Sequence, residues 1–432
     1  MTEFEQTPRY NLKAVSKETS LSPEILHAWE RRYGLPNPQR SPGGHRLYSQ
    51  YDIAILNWLK ARQEEGVTIS QAVKHWNDIV AHGKDPFSEY YSTEVLPVSG
   101  EGPSQVASLR QQWLDACLSY NEKTAEKVLN YSFGLYPVEM VCREFLQLGL
   151  RQIGEEWYRG KVSVQQEHFT SMLSVQRLEM IIASTPSPTL TSSIMVACPP
   201  GEWHTFPALM LTLLLRRRGY EVVYLGADVP HDHILDSVSR IQPQLVVLAA
   251  QRLSTAATLS RMAEILLPTH MPVGYGGLIF NRNPGLRQRM PAFFLGETIE
   301  ESIDSVKKID LENFTGYEII EQSSSLISAS QAYVRNRLLI DAELMGSSSL
   351  PFLSEERGKF INKEFGDNLA ASLELGNWQA LSAEIEWTKG LLEQNKIPLE
   401  WLADFLAKYQ QAVQKIMGKE AGLVADWISR LD

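Results

Sequence analysis

The 432-residue sequence predicts a modular chain of mixed α and α/β class, with three helical regions and one region of alternating strands and helices. Three observations predict it. The length exceeds the ~100 to 200 residues of an ordinary domain. Polar breaks rich in Pro, Gly and Ser interrupt it at 84–105 ("KDPFSEYYSTEVLPVSGEGPSQ"), 184–193 ("STPSPTLTSS") and 321–330 ("EQSSSLISAS"). Apolar spacing changes from helical to short strand runs and back to helical across the last two breaks. The divisions are a helical region with a Pro/Gly-rich hairpin-like piece at 1–83, a linker at 84–105, a four-helix bundle at 106–183, a Rossmann-like (flavodoxin-like) sheet domain at 190–312 and a helical domain at 331–432.

In region 1–83, "YNLKAVSKETSLSPEILHAWERRYG" reads as helix, turn at Ser20 and second helix. Ser22 is the expected N-cap, Pro23 suits the first helical position and Glu24 suits the helix dipole. That spacing is a helix-turn-helix, whose second helix enters the major groove. Gly43 and Gly44 then permit a tight wing turn, flanked by Arg40, Arg46 and Tyr48, side chains able to grip phosphates. Arg31 and Arg32 add charge at the end of the second helix. The formal charge of −10 argues against coating nucleic acid along the whole chain, but leaves room for one basic module.

In region 106–183, four amphipathic segments ("QVASLRQQWLDACL", "EKTAEKVLNYSF", "VEMVCREFLQLGLRQIGEEW" and "QQEHFTSMLSVQRLEMII") predict the bundle. Region 190–312 alternates "SIMVACP", "YEVVYLGAD", "QLVVLAA", "MPVGYGG" and "PAFFLG" with helical patterns, so its sheet is parallel and its ligand site lies beyond the strands' carboxyl ends. Glu202-x-His204 falls in the first such loop, and Gly276 and Gly277 leave a backbone a flat ligand can approach. Region 331–432 is helical, its Trp378, Trp387, Trp401 and Trp427 at core spacing, and it is a candidate surface for oligomerisation or a partner. Its "LAASLELGNWQAL" parallels "LDACLSYNEKTAE" of the bundle in apolar spacing, a candidate internal repeat.

No apolar run reaches the ~20 residues of a membrane span. The N-terminus has no signal-peptide pattern, so a cytoplasmic protein is expected. Cys117, Cys142 and Cys198 lack metal-site spacing and read as buried thiols.

The blocks "AWERRYGLPNPQR" and "GGHRLYS" resemble the MerR-type winged helix-turn-helix over about residues 9 to 78. The resemblance implies binding to double-stranded operator DNA as a homo-oligomer (dimer or tetramer), with Trp29 and Tyr33 as core or positioning residues. It makes His27 a candidate base contact on the exposed face of the recognition helix. The loop "GEWHTFP" with "GYGGLIFNRNP" is similar to the cobalamin-binding domain of corrinoid proteins, in which the loop histidine is the lower cobalt ligand and the acidic neighbour bonds its other nitrogen. Here that assigns cobalt to His204 and its support to Glu202. The chain departs from that pattern at Pro207, where a glycine is usual, and at Ala249 and Gln251, where a hydroxyl is usual.

"EEWYRGKVSVQQEHF" resembles the bundle signature of CarH-like photoreceptors, which implies that Trp157, Glu167 and His168 enclose the upper group of adenosylcobalamin. By that resemblance the ligand favours a DNA-holding oligomer in darkness, light breaks the cobalt–carbon bond, and repression ends. No catalytic group is needed, so a regulator and not an enzyme is expected. A corrinoid carrier for methyl transfer has no use for a winged helix. Tyr158 stands where those photoreceptors have a histidine. That change leaves open a sensor of cobalamin without photochemistry, or a second pigment such as a bilin in the altered cavity.

Overall fold

A computed structural model describes residues 7–41, 43–64, 67–81, 86, 102–309, 317, 322–347 and 355–431. Most of the expected linker lies outside the described residues. The chain divides into two compact units, residues 1–155 with 162–173, and 156–161 with 174–432.

The first unit opens with β1 (Tyr10–Asn11), α1 (Leu12–Thr19), α2 (Pro23–Tyr33), β2 (Gln39–Arg40), β3 (Arg46–Tyr48), α3 (Gln50–Glu64) and α4 (Ile69–Ala81). Ser20 adopts the left-handed turn conformation, and Ser22 caps α2 by accepting the Ile25 N–H. The strands pair antiparallel in the order β1-β3-β2, with Arg40 opposite Arg46, and form the wing. Val15, Leu26, Trp29, Trp58, Leu59 and Trp76 fill the core beneath.

Helices α5 (Gly102–Leu118), α6 (Glu122–Leu135), α7 (Val138–Met140) and α8 (Leu148–Tyr158) follow; α8 ends in the second unit. A π-helical stretch, Val141–Gln147, joins α7 to α8, so the predicted third bundle helix is one rod with a widened middle. Trp113 is fully buried against Phe145, and Gly149 is required because a Cβ there would sit 2.9 Å from the Trp113 ring. Helix α9 (Val164–Ala183) completes the set.

The second unit holds a parallel sheet of β4 (Ser193–Ala197), β5 (Glu221–Gly226), β6 (Leu245–Ala249), β7 (Val273–Gly276) and β8 (Phe293–Phe294), in the order β5-β4-β6-β7-β8. Numbered within the sheet this is 2-1-3-4-5, the flavodoxin-like winding. Its crevice lies where the connections from the first and third strands diverge. Around it run α10 (Phe206–Arg216), α11 (Ile234–Ile241), α12 (Leu253–Leu266), α13 (Leu278–Arg282) and α14 (Ile299–Lys308).

Helices α15 (Ser324–Ser347), α16 (Glu355–Leu375), α17 (Trp378–Gln394), α18 (Glu400–Met417) and α19 (Gly422–Ser429) form the tail domain. Helix α15 begins inside the serine-rich stretch read as a boundary, because Leu326, Ala329, Ala332 and Tyr333 supply helical spacing into the core. At its centre the Tyr333 and Tyr409 hydroxyls meet at 2.6 Å, beside Arg337 and Asp341. The tail packs on the sheet domain: α16 lies along α12, and Ala371, Leu375 and Ala380 join the core of that domain. Arg252 pairs with Glu364, and Arg261 with Glu374 at 2.6 Å.

The candidate repeat has a structural counterpart. Asn121 and Asn377 each follow a left-handed residue, Tyr120 or Gly376, and each caps the next helix, accepting from Thr124 or Ala380 at 3.0 Å. Both Asn N–H groups return to the preceding helix, at Ala116 and Ser372.

Candidate functional site

The crevice of the sheet is built around one carboxylate. Gly201, at φ +81°, turns the chain after β4, and its N–H donates to Asp228 at 2.7 Å. The turn carries Glu202 inward, where it is fully buried. Its Oε1 accepts from the His204 backbone N–H (2.9 Å) and from His204 Nδ1 (2.7 Å). Its Oε2 accepts from the Gln251 N–H and the Thr255 hydroxyl, both at 2.6 Å. Burial would raise the Glu202 carboxyl, but these four bonds together hold it below its ordinary range. A carboxylate can only accept, so His204 Nδ1 carries the proton and Nε2 presents a lone pair. The His204 side chain is 61% exposed, so that lone pair points out of an anchored base.

Gln251 and Thr255 come from the end of β6 and the first turn of α12 and close the crevice. Thr255, whose hydroxyl serves Glu202, is a member of the site that sequence reasoning missed. Gln251 Oε1 accepts from the Leu278 N–H at 2.9 Å, while its Nε2 is buried without a partner. Pro207 sits in the first turn of α10, where a missing N–H costs nothing. Of the two glycines, Gly276 has no atom within 4 Å of a would-be Cβ and keeps its role as an open approach. Gly277 is needed by the protein itself, since at φ +129° its Cβ would lie 1.8 Å from the Ala250 carbonyl oxygen. Trp203, 69% exposed beside His204, was also overlooked.

These residues fit a cobalt corrinoid. Among the described residues no three His, Cys, Asp or Glu side chains gather to cage a free ion. A single imidazole of fixed tautomer suits a transition metal whose other positions are already filled. Gln251 Nε2 offers an unspent donor in the same crevice.

Trp157 and Tyr158, at the end of α8, belong to the second unit; Glu167 and His168, in the first turn of α9, belong to the first. Glu167 Oε2 accepts from His168 Nδ1 at 2.7 Å, and Ser171 donates to Oε1 at 2.6 Å. This Glu–His pair repeats the logic of the crevice, again leaving Nε2 outward. Trp157 and Tyr158 both lie against Trp387 of α17, which is 36% exposed and so is not the core residue its spacing suggested. Trp401 and Trp427 are core, and Trp378 is half-buried.

Arg31 and Arg32 at the end of α2 and Arg40 in the wing are exposed and available to phosphate. Two expectations are corrected. Tyr48 is buried, 1% exposed, because it packs in the core with Val15, Leu26 and Trp29 instead of facing solvent. His27 is half-buried with Nε2 enclosed, since the exposed face of α2 is taken by Glu24, Ile25, Arg31 and Arg32. Arg46 donates through Nε to Glu30 at 2.7 Å, which fastens the wing to α2. His45, exposed at the wing tip, was not singled out. Cys117 and Cys198 are pushed up to about 12 by burial, as buried thiols should be.

Residues 10–77 match the family described as MerR HTH family regulatory protein, and residues 109–181 and 192–302 match two families each described as B12 binding domain. The HTH-type transcriptional repressor CarH of Myxococcus xanthus is 31% identical over 303 residues, 68% of this chain and 96% of that protein. The HTH-type transcriptional repressor CarA of the same organism is 28% identical over 69% and 95%. A solved structure, the monomethylamine corrinoid protein of Methanosarcina barkeri, aligns over 48% of this chain and 99% of its own at 13% identity and a TM-score of 0.40. A DNA-reading winged helix and a crevice suited to a corrinoid thus stand in one polypeptide in the order found in those repressors, and the chain belongs to the CarH family of MerR-type, cobalamin-binding transcriptional regulators.

Proposed function

We propose that the chain is a light-responsive repressor that binds adenosylcobalamin at the crevice of the sheet domain and holds operator DNA as a homo-oligomer in the dark. The observation that carries this reading is the outward Nε2 of His204 on a buried, fully bonded Glu202. His204 would be the lower cobalt ligand, Glu202 would keep its proton on Nδ1, and Gly276 would give the macrocycle access. Trp157, Glu167 and His168 would enclose the upper side, with His168 Nε2 a candidate ligand in place of the histidine that Tyr158 replaces. Arg31, Arg32 and Arg40 would contact phosphates, with Arg46 positioning the wing. Bound adenosylcobalamin supplies a cobalt–carbon bond that light can break. The two assemblies differ in function only if they bind the ligand with different affinity.

The test is an absorption spectrum of dark-purified protein with adenosylcobalamin before and after green light, beside His204→Ala and a DNA mobility-shift assay. A His204-dependent spectrum that converts with light, with loss of the shifted DNA, is expected. A bound spectrum unchanged by light would support the second reading, a sensor of cobalamin itself, which the Tyr158 hydroxyl bound to the Trp387 carbonyl favours. A bilin spectrum, or no bound cobalamin, would overturn both.

A further inference from the structure

Tyr158 has a partner that accounts for it. Its hydroxyl donates to the Trp387 carbonyl oxygen at 3.1 Å, and its ring lies 5.5 Å from the Trp387 ring at 36°. The phenol reaches that carbonyl because residue 390, one turn further along α17, is glycine; a Cβ there would sit 1.9 Å from the hydroxyl oxygen. Glycine is disfavoured within a helix relative to alanine. This one is explained by the notch it leaves. Trp157 lies against the same tryptophan, with ring centroids 6.3 Å apart and planes 27° from parallel. A flat group inserted between two rings needs about 7 Å, twice the ~3.5 Å of aromatic contact. The face of Trp157 turned toward Trp387 is therefore closed to a planar ligand.

The tail that carries Trp387 is itself held on the ligand end of the sheet. Glu364 pairs with Arg252, the residue after Gln251. Asn377 Nδ2 lies 3.2 Å from a Cβ built on Gly285, in the turn that follows α13. Trp387 is thus presented to Trp157 by a domain docked on the loops of the crevice.

We infer that Trp387 is a specificity-determining residue of the cobalamin site: it covers one face of Trp157, so the tail discriminates against cobalamins with a large planar upper group unless α17 moves aside. The inference rests on the cobalamin reading above and on Trp157 facing the upper ligand. It gives the tail a task within the site, and it couples the size of the upper group to the position of α17.

The experiment measures dissociation constants in the dark for adenosylcobalamin and hydroxocobalamin with the full chain, Trp387→Ala and Trp387→Phe. Trp387→Ala should tighten adenosylcobalamin about tenfold, equivalent to ~1.4 kcal/mol, and leave hydroxocobalamin within about twofold. Trp387→Phe should fall between. Hydrogen exchange on the unsubstituted chain gives a second readout that needs no variant. The peptide spanning 385–393 should lose protection with adenosylcobalamin and keep it with hydroxocobalamin. Equal changes for both ligands, or an unchanged ratio with unchanged exchange, would overturn the inference while leaving cobalamin binding intact. Failure of both cobalamins to bind the unsubstituted chain would overturn it together with the reading it rests on.

Discussion

Replacing Glu202 by glutamine keeps shape and removes charge, and its consequence can be worked through bond by bond. Four donors converge on two carboxylate oxygens: the N–H and Nδ1–H of His204 on one, the Gln251 N–H and Thr255 hydroxyl on the other. An amide nitrogen must face one of these pairs. Turned toward Thr255, it is tolerated by the hydroxyl, which can swing its proton to the Arg252 carbonyl 3.0 Å away, but not by the Gln251 N–H. Turned toward His204, it forces the imidazole proton to Nε2 and still leaves the His204 N–H unpaired. Either orientation strands one buried N–H at ~1–3 kcal/mol and weakens two charge-assisted bonds, about 3 kcal/mol in all or ~100-fold in local opening.

Hydrogen exchange on peptides covering 198–206 and 250–256 reads that opening directly, and an absorbance titration reads cobalamin affinity. Exchange protection and cobalamin affinity should both fall in Glu202→Gln. The sign with pH is fixed by the lowered carboxyl: its stabilisation is present above the ordinary carboxylate pKa of ~4.3 and is lost as pH falls through the lowered value. Unchanged protection in the glutamine variant, or cobalamin affinity insensitive to it, would refute the assignment of Glu202 as the anchor of His204.

Gly277→Ala, with its Cβ forced onto the Ala250 carbonyl at φ +129°, should cost about 3 kcal/mol or more and abolish cobalamin retention on gel filtration; Gly276→Ala, beside open space, should leave the melting temperature unchanged. Arg31→Ala with Arg32→Ala should weaken DNA binding across sequences and lower the salt slope by about 1 per lost phosphate contact, whereas Tyr48→Phe should leave that slope unchanged, both read by fluorescence anisotropy at several salt concentrations. Burial first, and the charge of Arg62 second, lower His75 to about 4 from 6.5. Its neutral form is the folded one, so the winged helix should hold its full stability above pH 6.5 and lose it as pH falls toward 4, a slope that His75→Gln removes in denaturant melts.

Signals carried by neighbouring residues were legible in the sequence. Ser22-Pro23-Glu24 marks a helix start by itself, and Glu202-x-His204 between a strand pattern and a helix pattern locates the crevice. What came from far along the chain was not legible. The hydroxyl that serves Glu202 lies 53 residues away at Thr255 on another element. Trp387 sits at core spacing in α17, and only the docking of the tail brings it to Trp157 and Tyr158. A phenol in a short wing strand satisfies polar and apolar expectations alike, and the residues that bury Tyr48, Val15, Leu26 and Trp29 among them, come from other elements. The helix over 324–330 was hidden by serines whose low helical preference is outweighed by four apolar residues reaching the tail core.

The paired hydroxyls of Tyr333 and Tyr409 give the tail two late-titrating phenols, beside Tyr224, Tyr275 and Tyr317, which burial also raises. Burial holds Tyr333 well above the ordinary phenol range and raises Tyr409 to about 12. In an alkaline titration followed in the near ultraviolet, exposed phenols turn to phenolate first and these two only when the domain opens. A tail that leaves its dock but stays folded keeps that late step, and one that melts loses it. The difference between this titration and that of a Tyr333→Phe, Tyr409→Phe chain removes the late step of Tyr224, Tyr275 and Tyr317, so spectrophotometry separates movement of the tail from its unfolding.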